Sequence, residues 1–166
     1  MSRIGLQIPD QTKLEQAKAS NPDLSAWVSA NAGSGKTYVL TQRVVRLLLA
    51  GTDPSRILCL PFTKAAAGVM SNRVFETLAG FAAMRDEELK EALAKLEGPS
   101  GKPPTAKRLQ RARTLFARAL ETPGGLKIQT IHAFCEALLH QFPLEANVPG
   151  NFSALDEAQG KQLLEQ

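Results

Sequence analysis

Between positions 30 and 37 the chain reads Ala-Asn-Ala-Gly-Ser-Gly-Lys-Thr, close to the spacing G-x-x-x-x-G-K-[ST]. The chemistry such a run can do is phosphate binding. Small residues let successive backbone N–H groups converge on phosphate oxygens, and a helix opening directly behind them adds the positive end of its dipole. Ala30 stands at the first glycine position, while Gly33 and Gly35 supply the tight backbone. Lys36 is placed to reach β- and γ-phosphates, and Thr37 to ligate Mg²⁺ through its hydroxyl. An ordinary glycine-rich turn is the competing reading. The position of the run, between an apolar stretch and a helical pattern, favours a nucleotide phosphate site.

Those residues need elements to hold them. Leu24-Ser-Ala-Trp-Val-Ser-Ala30 reads as a short buried strand without an internal breaker. Behind the loop, Leu40, Val44, Leu47 and Leu48 recur at helical spacing and Gly51 is the natural stop. Asp53-Pro54 turns the chain into a second apolar strand over 56–62, and the Ala-rich segment 64–83 sets Met70, Val74, Leu78 and Phe81 on one helical face. Strand, helix, strand, helix predicts a parallel sheet with crossover helices.

Residues 85–97 carry Asp86 with Lys90 and Glu91 with Lys95 at i,i+4, as exposed helices do. A loop is expected over 98–104 and a basic helix over 105–121, with Lys107, Arg108, Arg111, Arg113 and Arg118. That basic run reads either as a solvated face or as a nucleic-acid groove, the solvated face being the commoner case. Leu126–Thr130 is a third strand, 131–142 a third core helix, and the tail a loop running into a helix.

The 166 residues are enough for one domain with a core, and 43% hydrophobic with 22% charged residues is ordinary for a soluble globular protein. A net charge of +4 and a pI near 9.3 permit a nucleic-acid partner without demanding one. No run approaches the roughly 18 apolar residues of a spanning helix, so no membrane partner and a cytoplasmic setting are expected. Cys59 and Cys135 sit in apolar runs without metal-ligand spacing and read as reduced, buried thiols.

What surrounds the loop narrows the class. Gln16-x-x-Ala19 lies upstream, 60–73 reads LPFTKAAAGVMSNR, and 130–134 reads TIHAF. In this order and spacing the chain resembles superfamily 1A (UvrD/Rep-like) DNA helicases, and the longer stretch LETPGGLKIQTIHAFCEALLHQFPLEA is most similar to the helicase subunits of AddAB- and RecB-type helicase–nucleases. The resemblance covers almost the whole chain. It implies an α/β P-loop NTPase (RecA-like) fold, a parallel sheet with flanking helices. Residues 1–150 would be the N-terminal part of motor domain 1A, with a helical insertion at about 85–121, and 151–166 the start of an inserted subdomain 1B.

Function and site follow from the same resemblance. It implies ATP with Mg²⁺ at Gln16, Ala30, Asn31, Ala32, Gly33, Ser34, Gly35, Lys36, Thr37 and Tyr38, with Gln16 selecting adenine; a glutamine amide offers the donor–acceptor pair that matches the N6/N7 edge. It implies single- or double-stranded DNA at Phe62, Thr63, Lys64, Thr130, His132 and Phe134, with Phe62 stacking on a base. The whole protein is then expected to couple ATP hydrolysis to translocation in double-strand-break repair and recombination, with a second, AddB-like subunit. The residues alone leave other readings open: Gln16 as an exposed helix glutamine, Phe62 and Phe134 in the core, His132 as a packed or capping residue. Two departures stand in the DNA segment. Pro61 replaces the usual threonine, losing a hydroxyl and an N–H, and Val69 replaces the usual glutamate.

Asp156-Glu157 superficially matches the acidic Mg²⁺ pair of these enzymes, but Asn151–Leu155 before it is short and polar, and Asp156 reads as a helix cap. The chain is therefore expected to be a first portion of the motor that binds Mg·ATP weakly and does not translocate alone. A self-contained small-molecule kinase would leave Phe62-Thr63-Lys64 and His132 unexplained. A non-catalytic ATP-binding module would bind a partner and no DNA.

Overall fold

The computed structural model describes residues 8–31, 33–98 and 103–155. Six helices and a two-stranded sheet follow one another there as α1 (Asp10–Ala19), α2 (Lys36–Ala50), β1 (Leu58–Cys59), α3 (Lys64–Ala83), α4 (Asp86–Glu97), α5 (Ala106–Glu121), β2 (Lys127–Ile128) and α6 (Ile131–Gln141). The strands pair in parallel, Leu58 opposite Lys127 and Cys59 opposite Ile128. The expected parallel sheet is thus present, at two residues per strand, and Pro61, lacking an N–H, stands two residues beyond the last paired residue of β1.

The core is helical. Helix α3 packs most extensively against α5 and next against α2. Met70, Val74, Leu78 and Phe81, the four residues picked out by periodicity, are all buried. They meet Val44, Val45, Leu48 and Leu49 of α2, Leu89 and Leu93 of α4, and Ala112, Leu115 and Ala119 of α5. Each fully buried leucine or valine contributes about 1.5–3 kcal/mol, so this cluster is the main source of stability. Gly51 ends α2 in the left-handed region at φ 108°, where a side chain would also strike the Arg111 guanidinium, whose Nη1 donates to the Leu49 carbonyl at 3.0 Å.

Four sequence expectations are corrected here. Residues 24–30 form no strand: the segment has no regular secondary structure and is exposed, with Trp27 96% accessible. Cations of α2 take some of its carbonyls instead of a neighbouring strand, Arg43 at Leu24 and Lys36 at Ala30. Helix α6 is not a core helix, for none of its residues is buried. Leu40 faces outward, and the buried stripe of α2 runs through Val44, Val45, Leu48 and Leu49. Cys135 is exposed; Cys59 is half-buried, and desolvation raises its thiol pKa.

Local charge pairing also differs from the i,i+4 expectation. Lys90 pairs at i,i+3 with Glu87, at 2.8 Å, and Asp86 bonds across to Arg113 on α5 at 2.5 Å. Of the basic residues on α5, Arg108 pairs with Glu97, Arg111 holds the end of α2, and Arg113 holds Asp86. They are ties between helices, neither a solvated face nor a groove. No helix among the described residues is long and apolar enough to cross a membrane.

Candidate nucleotide and nucleic-acid site

The start of α2 is built differently from the starts of α3 and α6. Its N-cap is Gly35, at φ 89°, and no side chain caps its first turn. By contrast Thr63 accepts from the Ala66 N–H at 3.1 Å at the head of α3, and Thr130 accepts from the Ala133 N–H at 3.3 Å at the head of α6. A helix start carries up to four N–H groups without intrahelical partners. At α3 and α6 a threonine takes one of them; at α2 no side chain does.

The residues around that open start converge. Lys36 folds back so that its Nζ donates to the Ala30 carbonyl at 2.5 Å and the Asn31 carbonyl at 2.8 Å. The Ser34 hydroxyl donates to the Asn31 carbonyl at 2.7 Å. Gly33 also has positive φ, 80°, so both glycines adopt the conformation that lets backbone N–H groups turn toward one point. The Gln16 amide nitrogen lies against Gly35, 3.1 Å from where a Cβ would stand. A cavity of about 400 Å³ beside Gln16 is lined by Lys13, Tyr38, Gln42 and Lys95, and one of about 360 Å³ on the loop side by Val28, Ala30, Ser34 and Lys36. Tyr38 is exposed and Thr37 half-buried at the first turn. Ala32 lies outside the described residues, as do Asp156 and Glu157.

The second group of residues is assembled by the sheet. Because β1 and β2 are adjacent and parallel, the chain leaves both at the same edge, where open α/β sheets take their ligands. Phe62, Thr63 and Lys64 follow β1; Thr130, His132 and Phe134 follow β2. Phe62 is 90% exposed, which removes the core reading for it. Lys64 and His132 are exposed, Phe134 is half-buried, and Thr130 is buried in its capping role. Val69 lies exposed on α3.

Two arginines escape a reading of the sequence. Arg43 and Arg46, two and three turns along α2 from Lys36, bond to the carbonyls that close α1. Their i,i+3 spacing on an otherwise apolar helix is a usable signal, since a guanidinium buried on such a face needs acceptors.

Comparison with known proteins fixes the class. The profile of the UvrD/REP helicase N-terminal domain matches residues 11–166, and the chain belongs to that family. Among individual proteins it is similar to the ATP-dependent helicase/nuclease of Latilactobacillus sakei subsp. sakei (strain 23K), in its AddA polypeptide, 35% identical over 137 residues, covering 82% of this chain and 13% of that protein. The protein of the same name from Lactobacillus acidophilus (strain ATCC 700396 / NCK56 / N2 / NCFM) is 32% identical over 159 residues, 95% of this chain and 11% of the relative. That of Staphylococcus aureus (strain JH9) is 33% identical over 140 residues, 84% and 9% respectively. The chain spans about a tenth of the length of these relatives.

Proposed function

We propose that this chain is the ATP-binding first portion of an ATP-dependent DNA helicase of the helicase–nuclease type, acting in double-strand-break repair and recombination. The observation that carries the reading is the open start of α2, with Lys36 drawn onto the loop carbonyls and Gln16 against Gly35. An arriving triphosphate competes for the Lys36 ammonium, releases it from Ala30 and Asn31, and receives the free N–H groups of the first turn. Asn31 and Ser34 complete the wall around the phosphates, Ala32 is included by its place in the sequence motif alone, Tyr38 flanks the base, and Gln16 reads the adenine edge.

Mg²⁺, when bound, neutralises the phosphate charge. On this reading Mg²⁺ would be held by Thr37, phosphate oxygens and water. The strand-end edge serves single-stranded DNA. Phe62 stacks on a base, worth about 1–3 kcal/mol, and Lys64 and His132 approach the backbone. Thr63 and Thr130 act by capping the helices that present those residues, and Phe134 steadies α6 from its half-buried position. We assign motor domain 1A to about residue 150, with α4 and α5 as its insertion, and the beginning of 1B after it. The relatives are each named as one subunit of their enzyme, which supports a second, AddB-like chain beside the whole protein.

The test is ATP turnover by the purified chain with and without single-stranded DNA, together with nucleotide binding, with Lys36→Ala as background. Nucleotide binding above background with turnover at background supports a motor portion that needs the remainder of the enzyme. DNA-stimulated turnover would make it a complete small motor, and absence of nucleotide binding would remove the reading altogether.

A further inference from the structure

Helix α1 carries Gln16, yet no buried side chain of its own anchors it. None of its ten residues is buried, and its one large aliphatic side chain, Leu14, is exposed. A helix without an apolar face needs another attachment. The attachment seen here is polar and comes from α2. Arg46 donates through Nη1 to the Ala17 carbonyl and to the Ser20 hydroxyl, both at 3.0 Å, and that hydroxyl donates in turn to Ala17 at 3.1 Å. Arg43 donates to the carbonyls of Ala19 at 3.2 Å, Asn21 at 2.6 Å and Leu24 at 2.5 Å. Two cations thus sit on the carbonyl end of α1, where the helix dipole is negative and acceptors lack intrahelical partners.

The clamp reaches further. Arg46 is only 7% exposed, and its charge is balanced by Glu97 of α4 at 3.6 Å; the same carboxylate pairs with Arg108 of α5. The acceptor Ala17 is one residue from Gln16, whose amide lies at Gly35. We propose that Arg43 and Arg46 are positioning residues that fix α1 on α2, so that Gln16 is registered against the phosphate loop, and that Glu97 ties this register to the α4–α5 insertion. The inference rests on the reading of Gln16 as the partner of adenine. The proposed phosphate contacts come from the 30–35 loop and the start of α2, and not from α1. Loosening the clamp therefore costs base discrimination and spares phosphate binding, whereas a merely structural loss would weaken all nucleotides alike.

The experiment is titration of the chain with ribose-labelled ATP and GTP, for wild type, Gln16→Ala, Arg43→Lys, Arg46→Lys and Glu97→Gln, each checked by circular dichroism. Wild type is expected to prefer ATP by about tenfold, and Gln16→Ala to bring that preference to about unity. Each Arg→Lys variant keeps the charge but cannot span the same acceptors, and is expected to lower the preference by about threefold while GTP affinity stays within about twofold. Should Arg46→Lys fail to fold, Arg43→Lys carries the same comparison from a less buried position. If Gln16→Ala removes the preference but the arginine variants keep it, or lose ATP and GTP in proportion, the clamp is overturned and the role of Gln16 stands. If Gln16→Ala keeps the preference, or wild type binds neither nucleotide, the base reading fails and the clamp falls with it.

Discussion

The starts of α2, α3 and α6 are corners at which the chain turns into a helix, and they are finished in two ways. At α3 and α6 a threonine hydroxyl closes the corner by accepting a first-turn N–H. At α2 the corner is left open by Gly35 and a lysine is folded over it. A closed corner stabilises the helix and presents its flanking residues. An open one holds donors in reserve for an anion. On the proposed reading the difference separates a nucleotide role for 30–37 from a presentation role for 62–64 and 130–134, although all three lie where a strand would be expected to end.

The sharpest way to break that contrast is Lys36→Ala. Loss of a charge-assisted contact to phosphate should weaken Mg·ATP binding by about 2–3 kcal/mol, roughly thirty- to hundredfold in Kd, with the melting temperature unchanged, as isothermal titration and thermal unfolding would read. Next comes Phe62→Ala. Its ring is 90% exposed, so folding stability should hold while single-stranded DNA binding falls by about 1–3 kcal/mol, measured by fluorescence anisotropy. Equal losses in ATP and DNA binding from either change would merge the two regions.

Thr63→Ala and Thr130→Ala should each lower stability by about 1 kcal/mol in urea unfolding, with ATP affinity unaffected. The smallest effect belongs to a further closed corner. Asp53 accepts from the Ser55 N–H at 2.9 Å and from its hydroxyl, and these bonds hold its carboxyl below the ordinary range. A depressed folded pKa means that the contribution is present above the unfolded value of about 3.9 and is lost as pH falls through the folded one. Asp53→Asn should therefore lower stability slightly at pH 7, where the contribution is present, and converge with wild type as pH falls below about 4, so that the acid limb is flatter.

What can be read from the sequence divides along local and non-local lines. Helix α3 is legible, because Met70, Val74, Leu78 and Phe81 declare one face, although the capping role of Thr63 at its start comes only from the structure. The loop 30–37 is legible because its glycines and lysine are adjacent in the chain. The segment 24–30 misleads because an apolar run promises a strand only if a neighbour supplies the ladder, and here Arg43 and Lys36 meet its carbonyls instead. Helix α6 has the periodicity of a core helix but buries none of it. The Arg43–Arg46 clamp and the Asp86–Arg113 bond join residues 19 to 29 and 27 positions apart, beyond the reach of any i,i+4 rule.

The most direct test of the central claim is amide chemical-shift mapping of the chain during titration with Mg·ATP. An open corner at α2 predicts shifts at Gly33, Ser34, Gly35, Lys36 and Thr37 and at the Gln16 side chain, with Ala66 and Ala133, whose N–H groups are already bonded to threonines, staying in place. Shifts of equal size at all three helix starts, or none at Gly33–Thr37, would contradict it.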